Sequence, residues 1–584
     1  MIRFLKRVKN SSVLLIIASF IILLSFGFIN ISKTQDFQLA RNMDIFFSMI
    51  REISLFYVDD TNPEKLIENG IMGVLKGLDP YTTYIPESEK DNYATMTSGR
   101  YGGIGALIRQ IGDYVMIIEP YENFPAQKSG LRAGDIITSI NGKSTKGLLV
   151  NEVSELLKGQ PQSIIELTIK RNGENNPIIK KITREEVKIN NVAWYGVVED
   201  GIGYIQFNGF TENAHVEVRE ALKNLKNDHG IHSVILDVRG NPGGLLMEAV
   251  NVTNLFVEKG QEIVSTRGKV KQWDFSYRAR NNPVDKDIPV IILVGRSSAS
   301  AAEIVAGALQ DLDRGIVIGQ RTFGKGLIQT TRQLSYNAQL KITTAKYYTP
   351  SGRCIQAMNF VEDGGVAYIS DSLINEFRTK NGRIVYDGGG IMPDIEIVEE
   401  KTGPIVVNLF TRNLIFNYAT LYAERNPEIP PVSSFKISDH EYKDFITFLD
   451  EQNFDFQTQT ETSLKQLISI SKQENYFDLS KDILEELEKR IATEKLNDIE
   501  KYKKDIKALL REEIASRYYY QKGRIEASLY DDPFLSKAIG ILNNKEIYNS
   551  ILDGTHIYSG KKDNSPDINS ALLEHAGEHK QFPG

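Results

Sequence analysis

Cysteine is almost missing from this chain: one residue, Cys354, in 584. That excludes an intramolecular disulfide framework and any zinc site built from several thiolates. A cysteine-poor chain also suits an oxidising compartment. Positive charge is not in excess. Against 76 Asp and Glu stand 69 Lys and Arg, a net charge of −7, so no chain-wide basic field points to nucleic acid. Only one long apolar run occurs, which excludes a transporter. The remaining composition, 41% hydrophobic and 25% charged, is that of a folded protein and excludes a largely disordered or fibrous chain. At about 100–200 residues per domain, three or four domains are expected.

The single apolar run gives the compartment. Arg3, Lys6, Arg7 and Lys9 precede an uncharged stretch from Asn10 to Ser32, apolar from Val13 to Ile29. A positive flank followed by such a run is an export signal or a membrane anchor. No small-x-small cleavage site is clear after it, and there is no lipobox cysteine. The run is just long enough to span a bilayer. The positive-inside rule then leaves residues 1–10 in the cytoplasm, with the chain tethered through residues 11–32. Either way the bulk is exported, to the periplasmic face of the inner membrane or, after signal cleavage, to the periplasm.

Texture divides the rest of the chain. After the signal anchor, 1–35, residues 36–95 read as helical, with Ile45, Met49, Ile53 and Phe56 at helix-like spacing and a stop at Leu78-Asp79-Pro80-Tyr81. Residues 96–186 are glycine-rich and strand-like, with Asn141-Gly142 as a tight-turn signal. Residues 187–398 alternate strand and helix: strands at Ile202–Phe207, Ser233–Val238, Ile288–Val294 and Ile316–Ile318, helices at Leu245–Phe256 and Ala301–Leu309. Residues 399–560 read as a solvated helical accessory domain. Its Ile483, Leu484, Leu487, Ile491, Ile499, Tyr502, Ile506 and Leu510 form one apolar stripe. A polar tail, 561–584, ends the chain. The fold class expected is multidomain α+β/α/β.

Three segments can carry chemistry. Ser297-Ser298-Ala299-Ser300-Ala301-Ala302-Glu303 lies between a buried-type strand and a helix of small residues. A nucleophile at such a junction gains backbone N–H groups aimed at the developing oxyanion; the alternative is a serine N-cap. Serine needs a base, yet His215, His229 and His232 lie in no histidine–acid setting, and no Gly-x-Ser-x-Gly elbow occurs. Lysine can substitute. Lys325 sits in Gly324-Lys325-Gly326 with Gln329 four residues on, a spacing that puts both on one strand face. To act as a base Lys325 must be neutral, and burial can lower an amine from ~10.4 by up to ~3–5 units. Asp237-Val238-Arg239-Gly240-Asn241-Pro242-Gly243-Gly244 closes a strand and opens a helix, and its glycines allow the close approach an oxyanion hole requires.

Two motifs are decoys. Gly319–Lys325 fits a phosphate-binding loop, but the residue that should hold magnesium is Gly326. His575-Ala576-Gly577-Glu578-His579 matches an inverted zinc-peptidase pattern in a polar tail with almost no chain left for a third ligand.

Together the segments resemble the carboxyl-terminal processing, or tail-specific, proteases. Ser-Ala-Ser-Ala-x-Glu is present as Ser298–Glu303, Gly-Lys-Gly-x-x-Gln as Gly324–Gln329, with serine and lysine 25 residues apart. Asp-x-Arg-x-Asn-Pro-Gly-Gly, Gly-Gly-Ile-Gly and Gly-Gly-Ile-x-Pro-Asp (Gly389–Asp394) agree in order, and the likeness covers residues 40–398. Gly295-Arg296-Ser297 departs from it, replacing an asparagine often found there. The resemblance implies a serine endopeptidase in which Ser300 attacks, Lys325 takes and returns the proton, and Gln329 positions Lys325. The oxyanion would bind the N–H of Ala301 and one from Gly243 or Gly244. It also implies a PDZ domain at 96–186, whose loop Gly103-Ile104-Gly105-Ala106 offers backbone N–H groups to a peptide's terminal carboxylate while the peptide adds a strand. The core would be of the crotonase and Clp-protease type. Glu303 reads as a helix-turn residue bonding backbone, not as a catalytic acid. Partners implied are proteins with exposed C-terminal tails; no cofactor, metal or nucleic acid is needed. The region after 400 is left to dimerisation, adaptor binding or shielding of the cleft. A PDZ scaffold with a silent core is the competing reading.

Overall fold

The computed structural model describes residues 36–360, 366–368, 373–398 and 401–555, without the side chains of 359–360, 366–368 and 496. The expected anchor at 1–35 and the His575–His579 motif lie outside the described residues. No described helix is long and apolar enough to cross a membrane.

The chain divides into two compact units. The smaller runs up to Pro86 and includes Thr331–Ile342. It holds a helix over 36–56 and the helix Pro63–Lys76, started by Pro63 in its first turn and by Asn62, whose Oδ1 accepts from the N–H of Glu64 and Lys65. Asp79 then accepts from the N–H of Tyr81 and Thr82, which turns the chain into the strand Thr83–Ile85, paired antiparallel with Gln339–Lys341. The helical texture of 36–95 is thus interrupted by a strand.

The larger unit includes a six-stranded antiparallel sheet, five of whose strands run in the order Ala106–Ile111, Tyr114–Pro120, Ile136–Ile140, Ile164–Lys170, Ile178–Thr183, while the short Lys143–Ser144 pairs with Ile136–Ile140. Alternation builds its interior: Ile165, Leu167 and Ile169 are fully buried, while Ile164 faces solvent. Helix Val150–Leu157 covers that interior with Val153 and Leu157. Asn141 and Gly142 both take positive φ, the two-residue turn their sequence signals. A ribbon of Arg100–Gly103 with Glu185–Lys188 closes the base.

Next comes a six-stranded sheet ordered Val192–Glu199, Ile202–Phe207, Ser233–Asp237, Val290–Val294, Ile316–Gly319, Ile395–Glu396. The first pair is antiparallel and the rest parallel. Strands buried on both faces read as unbroken apolar runs, and Val290–Val294 is buried at all five positions. One face packs on helices Ala214–His229, Leu246–Thr253 and Ala301–Asp311. The other face is covered by Pro533–Leu542 and Lys545–Leu552 from the far end of the chain, where the Tyr548 hydroxyl meets the backbone of Val290. The end of the region expected to be accessory therefore completes the core.

Helices Pro404–Thr411, Leu414–Arg425, Asp439–Glu451, Gln459–Gln473, Phe477–Lys501 and Lys503–Ser528 make the helical region, around Leu409, Tyr418, Phe445, Ile506, Leu510 and Ile514. The expected single stripe is split. Its helix ends at Lys501, beyond which Ile506 and Leu510 enter this interior, while Ile483 stays 73% exposed.

Candidate active site

Strand Val290–Val294 leads to Ser300, the residue that caps helix Ala301–Asp311. Ser300 sits at φ +54, ψ −113, a conformation an L-residue holds only under constraint from its surroundings. The turn is therefore a sharp strand-to-helix elbow, although its sequence lacks the glycine pattern that marks such elbows. Ser298, fully buried, supplies one constraint: its Oγ donates to Val238 O at 2.7 Å and accepts from Gly295 N at 3.0 Å. The buried Tyr347 hydroxyl donates to Ser300 O at 3.1 Å.

Glu303 supplies the decisive constraint. It is fully buried and accepts four hydrogen bonds. Oε1 receives the Thr322 hydroxyl at 2.5 Å and Gly324 N–H at 2.7 Å. Oε2 receives Ser300 N–H at 2.8 Å and Lys325 N–H at 2.9 Å. One oxygen atom thus holds the backbones of both the expected nucleophile and the expected base. Burial pushes this carboxyl up to about 7, against the four donors that favour its anion. Sequence reasoning saw only the Ser300 end of this clasp, because the Lys325 loop arrives from 22 residues away.

Lys325 is not on a strand. It is half-buried in the loop before Leu327–Gln333, so it shares no strand face with Gln329. The departure has a physical cause: Lys325 N–H goes to Glu303 and Gly326 N–H to Gln356 Oε1 at 2.7 Å, leaving neither for a sheet ladder. Gln329 lies on the strand, with its Nε2 donating to Thr343 Oγ1 at 3.1 Å.

The glycine loop closes on the elbow. A Cβ on Gly243 would stand 2.8 Å from both Ala301 N and Ser300 Cβ, at φ +97, so only glycine fits. Asn241, fully buried and not singled out from the sequence, shapes the loop: Nδ2 donates to Phe207 O and Oδ1 accepts from Gly243 N–H at 2.9 Å. Gly243 N–H is therefore engaged. Ahead of the loop, Arg239 bonds Asp237 and, at 2.5 Å, Asp532 from the chain's distal region.

In the antiparallel sheet, Gly103, Ile104, Gly105 and Ala106 lead into the edge strand Ala106–Ile111. Gly105 takes φ +72 where a Cβ would collide with Phe124, and Ile104 is buried. Ile104 and Gly105 thus link two strands, with Gly103 ending one and Ala106 opening the other at an edge of the sheet.

Comparison with known proteins assigns three stretches of the chain to families. Residues 201–367 match Peptidase family S41, 116–171 a PDZ domain, and 405–542 the C-terminal helical domain of a probable PDZ-protease. A carboxy-terminal-processing protease of Bartonella bacilliformis is 39% identical over 329 residues, 56% of this chain and 74% of that one. A probable CtpA-like serine protease of Staphylococcus aureus is 33% identical over 371 residues, 62% of this chain and 72% of that one. Among solved structures, a photosystem II D1 C-terminal processing protease is 30% identical over 60% of this chain and 86% of its own, with a TM-score of 0.33. The protein is a serine-type peptidase with a PDZ domain, an N-terminal helical region and a C-terminal helical domain. It belongs to the carboxyl-terminal processing protease family.

Proposed function

We propose that this chain is an exported endopeptidase that trims or degrades proteins from their C-terminal tails through Ser300, Lys325 and Gln329. The observation that carries the reading is Glu303 Oε2, which accepts from the backbones of Ser300 and Lys325 together. Ser300 Oγ attacks the scissile carbonyl and Lys325, neutral beforehand, takes its proton. The oxyanion meets Ala301 N–H and, because Gly243 N–H already serves Asn241, the N–H of Gly244. Lys325 returns the proton to the leaving amine, and water then releases the acyl group by the same relay. With its Nε2 on Thr343, Gln329 has Oε1 to accept from the lysine ammonium and hold it in line.

The PDZ loop at Gly103–Ala106 would take the tail's carboxylate while the tail pairs with Ala106–Ile111. This supports selection of free chain ends. A population shift on tail binding, from a closed to an open cleft, would make the domain a switch. The largely parallel sheet with helices on both faces supports kinship with crotonase and Clp-type cores. The basic flank and apolar run of residues 3–32 support export with a membrane tether, and the helical domain is the surface available to an adaptor or a second copy.

The test is digestion of an unfolded protein by purified wild type and Ser300→Ala. Wild type should cleave and the variant should not; equal rates would falsify the assignment. Lys325→Ala should likewise abolish turnover while leaving thermal unfolding unchanged.

A further inference from the structure

The edge strand Ala106–Ile111 presents two unlike faces. Ala106 and Ile108 turn into the PDZ interior beside Ile104, Val150, Val153 and Leu157. Leu107 and Arg109 turn the other way. Their cross-strand partners confirm the direction: Leu107 pairs with Glu119, which meets Arg524, and Arg109 pairs with Met116, which packs on Phe416. Arg524 and Phe416 belong to the C-terminal helical domain. That domain therefore stands beside the outer face of the strand a substrate tail would join.

Arg109 is held there. Its Nη1 donates to Asn413 Oδ1 at 2.8 Å and its guanidinium lies 5.9 Å from the ring centroid of Phe410. Both partners are neutral, and Arg109 makes no ion pair among the described residues. Neighbouring cations on this interface are paired with acids: Arg517 with Glu513, Arg524 with Glu513 and Glu119, and Lys522 with Glu122. Arg109 is thus a positioned, half-buried charge lacking a carboxylate, beside the 47%-exposed Leu107 and the 51%-exposed Phe410.

Strand addition sets which substrate residue meets it. With the terminal carboxylate on the amides of residues 104–106, the tail runs antiparallel to the strand. The last residue lies beside Ala106, the second-last beside Leu107, the third-last beside Ile108 and the fourth-last beside Arg109. Side chains directly opposite share a face, with Cβ atoms about 4.5–5.5 Å apart. The second-last and fourth-last side chains therefore point toward the helical domain.

We propose that Arg109, fixed by Asn413 and Phe410, selects tails with an acidic side chain at the fourth residue from the carboxyl end. The helical domain thereby becomes one wall of the tail-binding groove. This rests on the tail-reading role proposed above for the PDZ loop.

The test uses the full chain carrying Ser300→Ala, so that binding is read without cleavage. Labelled peptides share three apolar terminal residues and carry Glu, Gln or Lys before them, each as free acid and as amide, with affinity measured by fluorescence anisotropy. The Glu peptide should bind at least about 5-fold more tightly than the Lys peptide, from a cross-strand ion pair gained in one and a repulsion met in the other. High salt should compress the ratio. Arg109→Gln should bring it to about one, and Arg109→Glu should invert it, an outcome that a misfolded variant cannot produce. Asn413→Ala should weaken the preference without abolishing binding. Free-acid selectivity with a flat Glu-to-Lys ratio would overturn the role of Arg109 alone. Equal binding of amide and free acid would overturn the tail-reading beneath it.

Discussion

Glu303→Gln removes one charge and keeps the shape of the side chain that joins Ser300 to Lys325. The carboxylate accepts four donors and donates to none, so both oxygens must be acceptors. An amide offers one acceptor and turns its NH2 toward two donors. Losing a satisfied buried bond costs about 1–3 kcal/mol; placed between the proposed nucleophile and the proposed base, a displacement of that origin should lower kcat at least about 100-fold. Protonation does the same to wild type. Burial raises the carboxyl from its ordinary 4.5 to about 7, so activity should fall as pH drops through 7. Stability runs the other way. A folded pKa above the unfolded one means the native state binds the proton more tightly, and the group's contribution is complete below about pH 4.5 and lost as pH rises through 7. That interval corresponds to roughly 3 kcal/mol. The assay is a pair of pH series from pH 4.5 to 8.5: kcat/KM on an unfolded substrate, and urea midpoints for wild type and Glu303→Gln. The variant should be poorly active throughout, and the stability difference between the two proteins should shift by that amount across the series. Parallel stability profiles with near-normal kcat in the variant would refute the clasp.

Three further expectations are independent of it. Gly243→Ala inserts a methyl 2.8 Å from Ala301 N at a positive φ, and should cost about 100-fold or more in kcat with little change in KM, read by steady-state kinetics. Asp532→Ala removes both the salt bridge to Arg239 and the cap on Pro533–Leu542, where Oδ1 accepts from Phe534 N–H and Leu535 N–H; a loss of about 2–4 kcal/mol in urea unfolding is expected, with Asp532→Asn recovering the cap's share of about 1 kcal/mol. Deleting residues 96–186 should change rate and substrate choice together; a truncated protein cleaving the same substrates at the same rate would show that the PDZ domain plays no part in selection.

Much of the architecture was legible because its periods are local. Ile164–Lys170 follows two-residue alternation, Val290–Val294 is an unbroken apolar run, and Asn141-Gly142 announces its own turn. Helix Ala214–His229 is harder to read from sequence: much of its surface is charged or polar, and only Ala214, Val218, Ala221, Leu222 and Leu225 carry the buried stripe. The strands Glu262–Gly268 and Gln339–Tyr348 escaped too, since they pair with each other across some 80 residues, and half-buried polar side chains blur their alternation.

The candidate site was written in short stretches: the serine, the lysine and the glycines proposed for it, and the order in which they come. Sequence alone also put Ser300 between a buried-type strand and a helix of small residues. Tertiary structure decided the rest. It bent Ser300 to positive φ, routed Lys325 off its strand, engaged Gly243 N–H with Asn241, and brought Asp532 to Arg239 across 293 residues. The reason is that a buried carboxylate such as Glu303 takes its partners from wherever packing delivers donors, and no local period records that meeting.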